Sequence, residues 1–471
     1  MRARPPSGAV RAGYCDAPWR RPPARPGRCG RLRIVTQPHP AMAPSDPIVR
    51  ALDAVRTRVL SNRDGEVASY IPELARADPE GFGLVVVSLG GNVYAAGECD
   101  VPFTIQSISK PFVLALALTD LGIDAFTARV GLEPSGKAFN AISLDPVSGR
   151  PANPLINAGA ILTSSLVPAA GPTERFDRIR GFLSAFAGRD LEVDDDVYRS
   201  ESATGSRNRA LAYLMSSAGS LDAAVEATVD VYFRQCSVLV TTVDVAVMAA
   251  TLANGGRNPV TDEQVIDLLT AERVMSVMAT CGMYDDAGDW LVRVGLPAKS
   301  GVSGGLVAVS PGQFGIGLHS PRLDERGNSV RAVAAARALS EDFSLHLLHR
   351  PARTAPVVFV DEVPVDPDGA APAPLGTTTV VSLHGDLEFA AAELALRAVD
   401  DLRSRVDDGG HLLVLDLDEV TDCHPVAVAL LESLAIELEG RGVRTVVVDG
   451  RRRGLLQGVA PEFTSRSEAR R

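Results

Sequence analysis

Two short stretches hold residue types able to do nucleophilic chemistry. Ser107-Ile108-Ser109-Lys110 leads directly into an apolar run, Phe112 to Leu118. On a helix, residues three apart share a face, so Ser107 and Lys110 come within side-chain reach. A serine hydroxyl is a weak nucleophile without a base beside it, and a lysine desolvated by apolar walls can be that base. Its pKa must then fall from ~10.4 toward ~7–8. The start of a helix also favours negative charge developing there. The second stretch, Lys299-Ser300-Gly301, reads as part of a strand and is followed by Val302-Ser303-Gly304-Gly305. Gly301 lets backbone and substrate approach closely. The backbone N–H groups of Ser107 and Val302 could form an oxyanion hole, where losing one donor typically costs about 3–4 kcal/mol. The chain has 47 basic residues, of which only Lys110, Lys137 and Lys299 are lysine. Arginine stays charged in proteins, whereas a buried lysine can give up its proton, so the retained lysines point to chemistry arginine cannot do.

Ser-x-x-Lys followed on a later strand by Lys-Ser-Gly is the paired signature of penicillin-binding proteins and class A β-lactamases. From about Tyr70 to Val330 the sequence resembles, more specifically, the serine-dependent glutaminases of the β-lactamase-like fold. The motifs, in family order, are FTIQSISK (103–110), EPSGKAFN (133–140), NPLINAGAI (153–161), SE (200–201), TGSRNRA (204–210), YFRQCS (232–237), ANGGRNP (253–259), GMYD (282–285) and KSGVSGG (299–305). The resemblance implies an amidohydrolase in which a serine attacks the side-chain amide of L-glutamine, ammonia leaves, and water releases glutamate. It makes Ser107 the nucleophile, Lys110 its base and Tyr284 a proton shuttle, with Tyr70 lining the site. It makes Asn157, Glu201, Asn208, Tyr232, Tyr284 and the backbone of Val302 the substrate binders, together with Ser107.

Elementary chemistry agrees with that assignment. A free amino acid carries an ammonium and a carboxylate; Glu201 can pair with the first, and the Asn amides can donate to the second. Taken alone, each Asn would read as a turn or cap residue and each Tyr as a core ring. Lys299 is either structural or sets the field at the oxyanion site. Gly131 to Lys137 has P-loop spacing, but Ala138 stands where Mg²⁺ binding needs Ser or Thr, and no clear buried strand precedes it. The seven histidines do not cluster at ligand spacing, so neither a metal nor another cofactor is expected.

These residues need elements to hold them. With 471 residues, 46% hydrophobic and 22% charged, the chain has the composition of a globular protein with two or three domains at ~150 residues each. Residues 1–41, with nine Arg and many Pro, read as a disordered extension. Residues 42–350 start with a helix capped by Ser45 or Asp46, running to Leu60. Strands follow at Gly83–Ser88 and Asn92–Ala95, then a buried helix from Lys110 to Leu121 and a mainly helical stretch over about 170–280. Strand-like, Gly-rich sequence occupies 290–318, and a helix closes the region from Ser329 to Leu348. Strands at both ends with helices between predict an α+β fold, one antiparallel sheet with an inserted helical part.

Residues 351–376, with six prolines, read as an extended connector. Strand (Thr377–Leu383), helix (Glu388–Val406), strand (His411–Leu417), helix (Pro425–Leu438) and strand (Val443–Val448) then predict a small βαβαβ domain over 377–462, with 463–471 as a tail. On LHGDL (383–387) and LVLDLDEVTDCHPVAVALL (413–431) this domain resembles the STAS fold of anti-anti-sigma factors. Family members that switch by phosphorylation carry a serine just after the Asp that follows the second strand. Here Asp422 is followed by Cys423, so the resemblance implies docking or ligand sensing, with an unknown protein partner.

A net charge of −11 argues against gripping nucleic acid, and no apolar run approaches the ~18 residues of a membrane span. Six scattered cysteines without a CxxC pair fit a reducing cytoplasm. Relatives of this kind commonly form homo-oligomers. Two other readings compete. A penicillin-type serine acyltransferase would share Ser107, Lys110 and Lys299. A regulatory scaffold would carry a vestigial hydrolase.

Overall fold

The computed structural model describes residues 41–44, 46–136, 143–348, 359–363, 378–387, 396, 412–423, 425–451 and 460–463. The chain divides into two compact units, Met1–His349 and Arg350–Arg471.

The first unit opens with α1 (Pro47–Val59). The Asp46 carboxylate caps it, accepting from Ile48 N at 2.8 Å and Val49 N at 3.4 Å, which satisfies two of the orphan donors at a helix start. Val49, Leu52, Val55 and Val59 recur at helical spacing and are buried. The sheet consists of β1 (Gly83–Ser88), β2 (Val93–Gly97), β3 (Ala298–Ser300), β4 (Gly305–Ser310) and β5 (Phe314–His319). It is antiparallel throughout, in the order β2-β1-β5-β4-β3, so the two ends of the unit's sequence meet at its centre.

Period-two alternation assigns the strand residues to two faces. Leu84, Val86, Leu306, Ala308, Ile316 and Leu318 pack on α1 and on the closing helix, Val330–Asp342. Val85, Val87 and Val93 pack on Val243, Ala246, Val247 and Ala250 of the helix Thr242–Ala253. That helix lies almost on the backbone of β5: a Cβ at Gly315 would sit 2.0 Å from Ala250 N, and one at Gly317 would sit 2.4 Å from Thr242 O. A larger helical core lies beyond, built on α2 (Ser109–Leu121) and α3 (Asn157–Leu166) with the helices between Pro172 and Cys281.

The expected α+β layout is what forms, with local corrections. Residues 290–293, at the start of the stretch read as strand-like, belong to the helix Ala287–Arg293; Gly295 at φ +67° breaks the chain away before β3. The closing helix stops at Asp342 rather than Leu348. Ala41, placed in the N-terminal extension, pairs with Val93, while residues 1–40 lie outside the described residues, as do Lys137 and Ala138 of the P-loop-like spacing.

The second unit is a five-stranded sheet, β6 (Phe359–Val363), β7 (Thr378–Leu387), β8 (Leu412–Cys423), β9 (Arg444–Val448) and β10 (Glu462–Phe463), in that order. β6 pairs antiparallel with β7, and the other pairs are parallel. The helix Pro425–Gly440 covers one face through Ala427, Leu431, Leu434 and Leu438. β6 corrects the reading of 351–376 as plain connector. Between Pro356 and Pro364 lies the proline-free run Val357 to Val363, rich in β-branched residues, and prolines are tolerated beside an edge strand. Phe463 is likewise strand, not tail. The predicted helix Glu388–Val406 lies outside the described residues except for Leu396.

Candidate active site

Ser107 sits in a 3₁₀ turn, Gln106–Ile108, that runs without a break into α2. The turn is strained: Gln106 has φ +48°, a region a non-glycine residue occupies at a cost of about 1–3 kcal/mol. Its side chain helps hold it there, Nε2 donating to Glu201 Oε1 at 3.2 Å and to Thr104 Oγ1 at 3.4 Å. Beneath the turn runs a buried polar chain. Ser109 Oγ donates to Gln106 O at 2.7 Å, Gln235 Nε2 to Ser109 Oγ at 2.9 Å, and Ser164 Oγ to Gln235 Oε1 at 2.8 Å. Satisfied buried networks of this kind fix one geometry.

The end of β3 lies against the same turn. A Cβ on Gly301 would meet Ile105 O at 3.2 Å and Ile108 Cγ1 at 3.3 Å, and one on Gly305 would meet Ile108 Cδ1 and Phe103 Cε2, both at 2.7 Å. The two glycines therefore let the Lys-Ser-Gly segment and the Ser-x-x-Lys turn touch, although about 190 residues separate them in sequence.

Both lysines of these motifs are buried, Lys110 at 1% and Lys299 at 0% exposure. Lys110 Nζ donates to Asn157 Oδ1 at 2.8 Å and to Leu155 O at 3.2 Å. Desolvation pulls its pKa down to about 8. Lys299 Nζ donates to Ser300 O at 2.6 Å and sits 3.8 Å from the centroid of the Tyr284 ring. Burial first, and the neighbouring Lys110 second, hold its pKa well below the usual lysine value. Tyr284 also has a positive φ, +58°. Burial pushes its pKa up to about 12, with the nearby Ser107 and Ser300 hydroxyls pulling the other way.

A cavity of about 430 Å³ opens above the serine and brings together Tyr70, Ser107, Asn157, Glu201, Asn208, Tyr232 and Val302. Lys110, Lys299 and Tyr284 form the buried layer beside it. Glu201 comes from the helix Asp195–Thr204 and accepts from Tyr70 Oη at 2.7 Å. Burial raises its pKa, with the Tyr70 and Gln106 hydrogen bonds opposing. Asn157, first residue of α3, donates through Nδ2 to Asn208 Oδ1 at 3.0 Å. Tyr232 is buried, and desolvation and then Cys236 raise its pKa.

Among the wall residues that escaped the sequence reading are Gln106, Arg207 and Cys236. Gln106 and Arg207 each directly precede a predicted site residue. Cys236 lies one helical turn after Tyr232, a spacing that puts both on one face. Burial, then Glu201, pushes its thiol up to about 12. It therefore stays protonated and contributes shape and polarisability to the wall.

A family model described as Glutaminase matches residues 65–348. Among curated proteins, the chain is 49% identical to the Glutaminase of Microcystis aeruginosa, over 64% of this chain and 90% of that one. It is 44% identical to Glutaminase 1 of Bradyrhizobium diazoefficiens over 86% of this chain, spanning about two thirds (67%) of that relative's length. Among solved structures, Mglu in its glutamate form superposes with a TM-score of 0.77 at 41% identity, covering 86% of this chain and 99% of that one. The Bacillus subtilis probable glutaminase superposes with a TM-score of 0.60 at 34% identity, covering 64% and 97%. A family model that matches residues 65–348, and relatives 44% and 49% identical to this chain, lead to one statement: the chain belongs to the glutaminase family.

Proposed function

We propose that Ser107 carries out glutamine hydrolysis as a covalent nucleophile. As a glutaminase, the chain hydrolyses the side-chain amide of glutamine to glutamate and ammonia. In the proposed path, Ser107 Oγ attacks the amide carbon and its proton passes to the buried base. The C–N bond breaks with protonation of the leaving nitrogen, so ammonia departs and an ester to Ser107 remains. Water then hydrolyses the ester and restores the hydroxyl.

The observation that carries this reading is the state of Lys110. Its pKa of about 8, set by desolvation, leaves a sizeable neutral fraction near physiological pH, as a general base requires. Tyr284, against Ser107, passes the proton between the hydroxyl and the leaving nitrogen. The Ser107 and Val302 N–H groups receive the oxyanion. Glu201 pairs with the substrate ammonium, and Asn157 and Asn208 meet its carboxylate. The β-lactamase-like fold is the framework this chemistry needs. The glutamate form of Mglu supports the same ligand class in a relative of 41% identity.

Treating the chain with the glutamine-like electrophile 6-diazo-5-oxo-norleucine and mapping the adduct by mass spectrometry tests the proposal. Modification of Ser107 supports it, and a fully inhibited enzyme with Ser107 unmodified overturns it.

The second unit, with its parallel strands and covering helix, supports the STAS-like reading of 377–462. We assign it a docking or ligand-sensing role in a cytoplasmic homo-oligomer. No helix among the described residues is long and apolar enough to cross a membrane.

A further inference from the structure

The peptide that joins Gln106 to Ser107 is held from behind. Its carbonyl oxygen, Gln106 O, accepts from Ser109 Oγ at 2.7 Å and also from the Ser109 backbone N–H. Ser109 Oγ lies 2.9 Å from Gln235 Nε2, and Gln235 Oε1 lies 2.8 Å from Ser164 Oγ. Ser109, Ser164 and Gln235 are all fully buried. They come from three elements that also carry site residues: α2 with Lys110, α3 with Asn157, and the helix Val225–Cys236 with Tyr232.

The direction of these bonds follows from what each group can do. A carbonyl oxygen only accepts, so Ser109 gives its one hydroxyl proton to Gln106 O. Toward Gln235 the same hydroxyl can then only accept, which turns the amide nitrogen of Gln235 to Ser109 and its oxygen to Ser164. Ser164 shares its proton between Gln235 Oε1 and Ala160 O, the latter 2.9 Å away. The Gln106–Ser107 peptide is trans, so its C=O and N–H point to opposite sides. Drawing the carbonyl into the core therefore turns the Ser107 N–H away from the core, and Ser107 lines the cavity. A hydrogen bond accepted by a carbonyl also polarises the N–H of the same peptide, and chains of such bonds strengthen one another in a dry interior.

We propose that Ser109 and Gln235 are positioning residues: from behind the serine turn they aim the Ser107 N–H at the substrate's carbonyl oxygen and strengthen it as an oxyanion donor. The inference rests on the serine acyl-enzyme reading above and adds two side chains that reach the reaction only through a backbone peptide. Their effect is strongest when negative charge builds on that oxygen, so it is expressed in kcat rather than in binding of the uncharged amide.

The test compares Ser109→Ala, Gln235→Met and the double variant in the full-length enzyme, following kcat, KM and Tm. Ser109→Ala is expected to lower kcat about tenfold to a hundredfold, part of the loss of about a hundredfold to a thousandfold seen when an oxyanion donor is removed outright, with KM within about twofold. Gln235→Met, which leaves the hydroxyl in place, should lower kcat by a smaller factor. Stability separates this role from a structural one. Ser109→Ala strands the Gln235 amide in the core and should lower Tm, whereas the double variant removes both partners and should regain most of that loss. Its kcat should nevertheless stay as low as in Ser109→Ala, because the peptide is still unsupported. A kcat that tracks Tm across the three variants overturns the proposal, as do wild-type kcat in Ser109→Ala and a loss that falls on KM alone. Electrophile labelling of the wild type keeps the two readings apart. If Ser107 is labelled while Ser109→Ala retains full turnover, the support from behind fails and the nucleophile stands. If Ser107 is not labelled, the nucleophile itself fails.

Discussion

Lys110 and Asn157 are joined by a 2.8 Å hydrogen bond from Nζ to Oδ1, which ties the buried amine to the wall that meets the substrate. Asn157 then passes the contact on to Asn208. The proposed base is thus held at a helix start by the same side chains proposed to meet the carboxylate, and in this proposal substrate binding and proton transfer share one frame.

That frame sets the pH dependence. The Lys110 pKa is lowered to about 8, so the neutral amine grows in as pH rises through that value. kcat/KM is expected to climb to a plateau with an apparent pKa near 8 in a pH–rate profile. Lys110→Met should remove turnover by at least about a thousandfold. Folding shows the opposite cost. The unfolded chain keeps this lysine charged up to its ordinary pKa of 10.5, while the folded chain disfavours the charge below about 8. The penalty is therefore full below pH 8 and fades between 8 and 10.5. Lys110→Met should accordingly keep its Tm at pH 7 despite its inactivity; a collapsed Tm would show a structural role instead.

Glu201 is the only carboxylate on the cavity wall among the described residues. Glu201→Gln keeps the shape and the Tyr70 contact but loses the charge that pairs with an ammonium. A hydrogen bond to a charged group is worth about 1.5–3 kcal/mol, so KM for L-glutamine should rise about tenfold to a hundredfold, with a smaller effect on kcat. The preference for glutamine over glutaramate, which lacks the amino group, should collapse. Steady-state kinetics with both amides checks this.

Gly305→Ala places a methyl 2.7 Å from both Ile108 and Phe103. Overpacking of this kind costs about 1–3 kcal/mol. Because Ile108 follows the proposed nucleophile, kcat should fall along with Tm. Gly312→Ala serves as the control for a glycine outside the site: its Cβ meets nothing within 4 Å, though its φ of +71° still strains it. It should lower Tm without lowering kcat.

His319, stacked on Phe103 with ring centroids 4.0 Å apart, has its pKa pulled down to about 4 by burial. In the unfolded chain it protonates near 6.5, so the unfolded state takes up the proton first as pH falls. The stability it contributes is full above about pH 6.5 and is lost toward pH 4, a total on the order of 3 kcal/mol. His319→Phe retains the stack and should flatten the fall of Tm over that window in thermal melts.

Much of this was legible in the residues themselves. Phe112 to Leu118 is apolar on every side, which forces burial of α2 and with it the desolvation of Lys110. Gly83–Ser88 reads as a strand from its β-branched run, and the motif order points to Ser107, Glu201 and Tyr284. Local pattern did not reveal β6, because the prolines around it outweighed the short β-branched run between them. It did not reveal Cys236 as a wall residue either, since a buried thiol on a helix looks the same whether it faces core or cavity.

The sequence by itself determined which groups exist to react and which segments must be buried, because periodicity and side-chain chemistry are local properties. Only the tertiary structure decided that Lys299 lies over the Tyr284 ring, that Gly301 lies against the serine turn, and that Asn328 bridges Ser300 and Asp286. Those relationships depend on strand order and on the direction of hydrogen bonds between residues far apart in the chain. Such order is fixed by packing the whole sheet against its helices, and no stretch of sequence encodes it alone.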